Sequence, residues 1–192
     1  MTILEKIYCN KLYIEQHIIK ESKHNIFYTR KLSGFVQILN FIPKIIDNKG
    51  VKRTPSELKE IFFKDKEQCL VFLALLNSSL FYWYLTVWSD CRNLNKREIE
   101  YFPIDYNIVT SKNRTELYNL SLLLMKDIVG KSLMKPMGAL EIQCTYPKKS
   151  KPIIDEIDKV LAKHYGFTEE ELDFIINYDI KYRMGSELEG EE

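Results

Sequence analysis

Two stretches of this sequence carry side chains suited to contacting a polyanion. Arg92-Asn93-Leu94-Asn95-Lys96-Arg97 sets two arginines, two asparagines and a lysine within one short segment. Were DNA the partner, arginine would pair bidentately with guanine and asparagine with adenine, which makes Arg92, Asn93 and Asn95 candidates for base readout. The second stretch, residues 23–53, holds seven basic residues (Lys23, Arg30, Lys31, Lys44, Lys49, Lys52 and Arg53) against one acid, Asp47. Arg30, Lys31, Lys49, Lys52 and Arg53, together with Lys96 and Arg97, would then divide into phosphate clamps and base readers. Plainer readings stand beside these. A basic run can be a solvated face, and Asn93 and Asn95 can cap a helix begun near Lys96.

The elements that must hold these residues follow from periodicity. From Gln68 to Trp88 there are 21 positions, 16 of them apolar or aromatic. Leu73, Leu76, Leu80, Trp83 and Val87 recur at steps of three and four, predicting one long apolar helix that delivers the Arg92 segment to the surface. The same run is long enough for a bilayer, but the remaining chain is highly charged and offers no second span, so a core helix is the expectation. Tyr82, Trp83, Tyr84 and Trp88 are expected in the core or an interface before they serve as stacking platforms.

Residues 2–20 predict a helix or two short elements. Asn25 to Lys31 and Phe35 to Ile42 predict strands, separated by Gly34 and ended by Pro43. Asp47-Asn48-Lys49-Gly50 is a turn, Thr54-Pro55-Ser56-Glu57 starts a turn or short helix, and Ile61-Phe62-Phe63 is strand-like. Beyond Pro103, a helix is predicted from Asn113, as N-cap with Glu116 at N3, to about Met134. Leu140 to Tyr146 predicts a strand. Pro152 opens a helix that Gly166 ends, and Thr168 opens a last helix running to about Met184. The fold class expected is α+β: a small β-rich lobe around the long apolar helix, followed by C-terminal helices. The division expected is a lobe with the central helix over 1–105, a helical region with one strand over 106–185, and a disordered acidic tail over 186–192.

Several chemistries have no foothold. There is no Gly-x-Gly, hence neither a Rossmann loop nor the glycine-rich cofactor loop of a methyltransferase. No proline adjoins another, which excludes an Asn/Asp-Pro-Pro-aromatic adenine pocket. His17, His24 and His164 are scattered, and Cys9, Cys69, Cys91 and Cys144 form no CxxC pair and have no His at metal-ligand spacing. Asp47-x-Lys49 and Glu57-x-Lys59 match the acid-x-Lys half of a metal-dependent nuclease, a triplet that arises often by chance. Reduced thiols and the lack of a secretory signal fit a cytoplasmic protein. The net charge of +1 conceals an asymmetry: residues 1–100 carry 16 Lys/Arg against 11 Asp/Glu, and residues 101–192 carry 12 against 16.

Taken together, Tyr28-Thr29-Arg30-Lys31, Lys52-Arg53-x-Pro55-Ser56-Glu57-Leu58-Lys59 and above all Leu75-Leu76-Asn77-Ser78-Ser79-Leu80-Phe81-Tyr82-Trp83-Tyr84 resemble a known region. It is the C-terminal target-recognition region of adenine-N6 DNA methyltransferases of restriction–modification systems, especially the fused type IIG enzymes. Arg92 to Ile99, Phe102-Pro103-Ile104, the Ile154 to Asp158 segment, His164-Tyr165-Gly166 and Asn177 to Gly185 continue the likeness, which covers nearly the whole chain in pieces. The Leu-Asn-Ser-Ser-Leu-aromatic block is its most specific piece. Such enzymes carry cofactor-binding and base-flipping motifs that this chain lacks.

The resemblance, rather than composition or spacing, implies sequence-specific binding of double-stranded DNA. It also implies a methyltransferase or nuclease catalytic domain or subunit as partner, with S-adenosylmethionine bound there and no cofactor in this chain. The alternative is a protein-interaction module that docks a partner subunit through the aromatic helix and the acidic C-terminal helices, without touching DNA.

Overall fold

The computed structural model describes residues 1–32 and 34–185; the acidic 186–192 segment lies outside them. The fold is α+β. In chain order its elements are α1 (Ile3–Tyr8), β1 (Ile18–Ile19), β2 (Asn25–Thr29), β3 (Ile38–Leu39), β4 (Ile45–Asp47), β5 (Lys52–Arg53) and β6 (Leu58–Phe63). Then come α2 (Lys66–Leu76), α3 (Ser79–Trp88), α4 (Lys96–Glu100), α5 (Ser111–Gly130), β7 (Leu133–Met137), β8 (Leu140–Cys144), α6 (Lys151–Tyr165), α7 (Glu169–Asn177) and α8 (Ile180–Met184).

Two four-stranded antiparallel sheets form. The first has the order β1-β6-β2-β3, with Ile26 opposite Ile61 and Phe27 opposite Leu39. The second has the order β5-β4-β8-β7, with Ile45 opposite Ile142. That second sheet joins a hairpin from residues 45–53 to one from 133–144, so strand pairing crosses the expected division at residue 105.

The predicted 68–88 helix is two helices, α2 and α3, bent by 65° at Asn77-Ser78. The cause is the polar triplet. Asn77 stops α2, and its side chain pairs with a strand instead of with solvent. Nδ2 donates to the carbonyls of Ile38 (2.9 Å) and Leu73 (2.8 Å), while Oδ1 accepts the Ile38 amide (3.1 Å). Ser78 starts α3: its hydroxyl accepts from the Phe81 amide at 3.0 Å and donates to the Leu75 carbonyl at 2.6 Å. The Ser79 and Leu80 amides, orphans at any helix start, are taken up by the Asp158 carboxylate of α6, each at 3.0 Å. Every residue from Gln68 to Leu85 is buried, the bend included. Among the described residues no single helix is long and apolar enough to cross a bilayer.

Arg183, also buried, ties the C-terminal end into the same place. Its guanidinium donates to the Gly34 carbonyl (2.9 Å), the Tyr178 carbonyl (3.4 Å) and the Ser79 hydroxyl (3.1 Å), and lies between the rings of Phe35 and Tyr82. A Cβ on Gly34 would fall 2.7 Å from the Arg183 Cα, so glycine stands there because of this close approach.

Other boundaries shift for local reasons. The strand predicted over 35–42 shrinks to Ile38–Leu39, the part that pairs with β2 and with Asn77. Thr110, not Asn113, caps α5, its hydroxyl accepting the Asn113 amide at 3.2 Å. That helix stops at Gly130, and residues assigned to its end form β7, an edge strand in which Pro136 needs no ladder partner. The last helix is interrupted by Tyr178 and by Asp179, whose φ of 52° is left-handed. The starts and stops at Thr168, Pro152 and Gly166 lie where the sequence put them: Thr168 and Glu171 form a capping box, and Gly166 closes α6 at φ 67°.

Candidate nucleic-acid interface

The polar segment after α3 is folded against the end of β2. Asp90 Oδ1 accepts the amides of Arg92 (3.0 Å) and Asn93 (3.3 Å), turning the chain through Cys91, whose φ is 56°. Those two amides, Arg92 first, hold the Asp90 carboxyl below its usual range. Asn93 then bridges Lys31 in antiparallel fashion, and the Leu94 amide donates to the Arg30 carbonyl at 2.7 Å. Leu94 is buried and plugs the segment into the core.

Asn95 stands at the N-cap position of α4, where the plainer reading put it. Its amide donates to Glu98 Oε2 at 2.7 Å and its Nδ2 to Glu98 Oε1 at 3.4 Å, while its own Oδ1 accepts from the Arg30 guanidinium at 3.3 Å. The first turn of α4 carries Lys96, paired with Glu100 at 2.8 Å, and Arg97, 3.4 Å from Glu98. Arg97 keeps 71% of its side chain exposed and Lys96 keeps 54%, so both remain open to solvent despite these partners.

The structure therefore brings together Arg30, Lys31, Arg92, Asn93, Asn95, Lys96 and Arg97, which the sequence offers in two distant pieces. Arg30, Lys31, Arg92, Lys96 and Arg97 are exposed, and Asn93 and Asn95 are partly so. The remaining candidates, Lys49, Lys52 and Arg53, sit on the β4–β5 hairpin of the other sheet. No hydrogen bond or ion pair among the described residues connects the hairpin to the first group.

Within the hairpin, Asp47 organises the turn. Its carboxylate accepts the amides of Val51 (2.9 Å) and Lys49 (3.0 Å) and both Nε (3.0 Å) and Nη2 (2.7 Å) of Arg53. These bonds, the Val51 amide foremost, keep its carboxyl below the usual range. Arg53 is thus engaged inside the turn, whereas Lys49 and Lys52 project freely exposed. Asp47 is equally engaged, and among the described residues no group of three His, Cys, Asp or Glu is placed to hold a metal ion.

Two features escaped the sequence. Asp158 lies on the apolar face of α6, four residues after Ile154 and three before Leu161, and that placement was the available signal. A cleft of about 480 Å³ opens beside the Arg92 segment, walled by Tyr82, Tyr178 and Tyr182, and joins residues from Leu32 to Tyr182. Tyr82, Trp83 and Tyr84 are buried as expected, while Trp88 is exposed and meets Tyr8 edge-on.

No family model matches this chain, and neither a curated protein nor a solved structure matches it significantly.

Proposed function

We propose that this chain is a cytoplasmic DNA-recognition domain, reading a specific duplex sequence for an adenine-N6 methyltransferase of a restriction–modification system. It has no catalytic motif of its own, and methyl transfer, with S-adenosylmethionine, belongs to a catalytic domain or subunit. The observation that carries the reading is the pairing of Lys31 with Asn93 and of Arg30 with Leu94. It fixes seven polar or cationic residues on one surface, backed by a helix whose first seven residues are buried. A rigid mount of that kind suits base readout. Arg30, Lys31, Lys96 and Arg97 are assigned to phosphates, Arg92 and Asn93 to base edges, and Asn95 to capping α4 and orienting Arg30. Lys49 and Lys52 supply a second phosphate contact, with Arg53 stiffening their turn.

The test begins with selection of a preferred duplex from a random pool, using the chain alone or with its catalytic partner. Alanine at Arg92 or Asn93 is expected to weaken the selected site by about 1–3 kcal/mol and to leave random DNA nearly unchanged. Alanine at Asn95 is expected to lower stability by about 1 kcal/mol. Intact discrimination in both the Arg92 and Asn93 variants would defeat the assignment of base readout.

A specific observation also favours partner docking, on a surface other than the aromatic helix first considered, whose residues Ser79 to Leu85 are buried. Leu122, Leu123 and Val129 of α5 and Leu133, Met134 and Met137 at β7 are all exposed. Such residues suit a protein interface, whose affinity would change little with salt. DNA binding falls steeply with salt, so a salt titration separates the two readings.

A further inference from the structure

The cleft beside the Arg92 segment is built unlike the rest of the surface. Its floor is Tyr82, buried and held against the guanidinium of Arg183 at 4.7 Å. One side is Tyr178, whose ring tilts 56° to that of Tyr82 at 6.4 Å and whose hydroxyl lies 3.3 Å from that of Thr86. Tyr182 stands at the rim with 75% of its surface in solvent, although the adjacent Arg183 is locked into the core. A large ring held on an anchored backbone and left uncovered is a ready stacking surface.

The polar equipment selects among planar ligands. Asp179 lines the cleft, and its carboxylate accepts no hydrogen bond from another side chain among the described residues. An anion there repels phosphate and accepts from an exocyclic amine, as acidic side chains do with the amine of cytosine. The volume lies within the roughly 300–1,000 Å³ usual for small-ligand sites. The position matters as much: Leu32, which directly follows Arg30 and Lys31, and Cys91, which directly precedes Arg92, both line the cleft. A phosphate backbone tracked by those cations passes its edge.

We propose that this cleft binds a single unstacked, amino-bearing nucleobase, stacked on Tyr182 and held through its amine by Asp179. The inference rests on the DNA-recognition reading for its source, a base turned out of the bound duplex; a free nucleoside or nucleotide offers the same chemistry.

The experiment compares a paired duplex with duplexes carrying one unpaired adenine or one unpaired thymine, on wild type, Tyr182→Ala and Asp179→Gly. Both positions are exposed, so the variants are expected to fold; thermal melts verify this. Wild type is expected to bind the adenine bulge roughly tenfold tighter than the paired duplex, in keeping with the strength of base–aromatic stacking. Tyr182→Ala should lose that preference while keeping its affinity for paired DNA. Asp179→Gly, which removes the acceptor and suits the left-handed φ of 52°, should lose the preference for adenine over thymine. A parallel arm titrates adenosine into the free protein and follows tyrosine ring resonances, assigned with the Tyr182 variant. Paired-duplex binding with no bulge preference and no adenosine response would overturn the cleft's role and leave the basic interface standing. Adenosine binding without DNA binding would sustain the cleft's chemistry, identify a free nucleoside or nucleotide as its source, and sink the DNA-recognition reading.

Discussion

Asp158 shows how far a single side chain here is committed to the fold. Its carboxylate accepts two backbone amides at the start of α3, in a place fully shut off from water. Burial lifts its pKa to about 6, while the Leu80 and Ser79 amides favour the anion and Asp155 opposes it. Arg183 donates to the hydroxyl of the same Ser79 at 3.1 Å. Because the folded chain holds the proton more tightly than the unfolded one, this site's contribution is fully present below about pH 4. It declines as pH rises to about 6, by an amount on the order of 3 kcal/mol. Denaturant titrations across that window should therefore show wild type losing stability relative to Asp158→Asn as pH rises from about 4 to about 6. Asp158→Ala should cost about 1–3 kcal/mol for each amide left unpaired, and an unchanged midpoint would contradict the cap. Burial pushes the His164 and His17 imidazoles down, so their protonation in the unfolded chain lowers stability as pH falls and opposes the Asp158 effect. It does so in wild type and variant alike, and the difference between the two curves isolates Asp158.

At the level of elements, the Asn77-Ser78-Ser79 bend decides what the molecule can present. It turns α3 away from α2 and so directs the segment after Trp88 toward β2. Asn77→Leu would give the apolar run its missing continuity but leave the Ile38 amide and carbonyl without partners. Loss of about 2–5 kcal/mol in chemical denaturation is expected, and a neutral result would mean that the bend has other support. The sequence displayed this triplet plainly, yet periodicity on either side suggested one helix, because polar residues inside an apolar run resemble tolerated interruptions. Caps at Thr168 and Gly166 were legible because their signals are local. The strand Leu133–Met137 was not, since Leu133 and Met134 continue the apolar spacing of α5 and only pairing with β8 makes them a strand. The Lys31–Asn93 bridge had no local signal at all: two polar residues joined across more than sixty positions leave nothing in either neighbourhood to find.

Over the whole molecule, both sheets and the bend are closed by long-range contacts, and Arg183 at the C-terminal end holds Gly34 near the start. The α+β class and the candidate cations could be read from composition and spacing, whereas the gathering of Arg30, Lys31, Arg92, Lys96 and Arg97 beside one another depends on the Lys31–Asn93 bridge. Basic residues outnumber acidic ones over the first hundred positions, and acidic ones outnumber basic over the remainder. Removing Lys49 and Lys52 together should weaken binding to all duplexes alike, whereas Arg53→Ala should act through loosening of the Asp47 turn; melting curves run beside binding curves distinguish them. The most direct measurement is the salt dependence of duplex binding for wild type and for the Lys31→Ala/Arg97→Ala double variant. If Arg30, Lys31, Lys96 and Arg97 all meet phosphates, a log–log slope of about −3.5 or steeper is expected for wild type, shallower by about 2 in the double variant. A wild-type slope near zero, or an identical slope in the variant, would contradict the assignment of this surface to DNA.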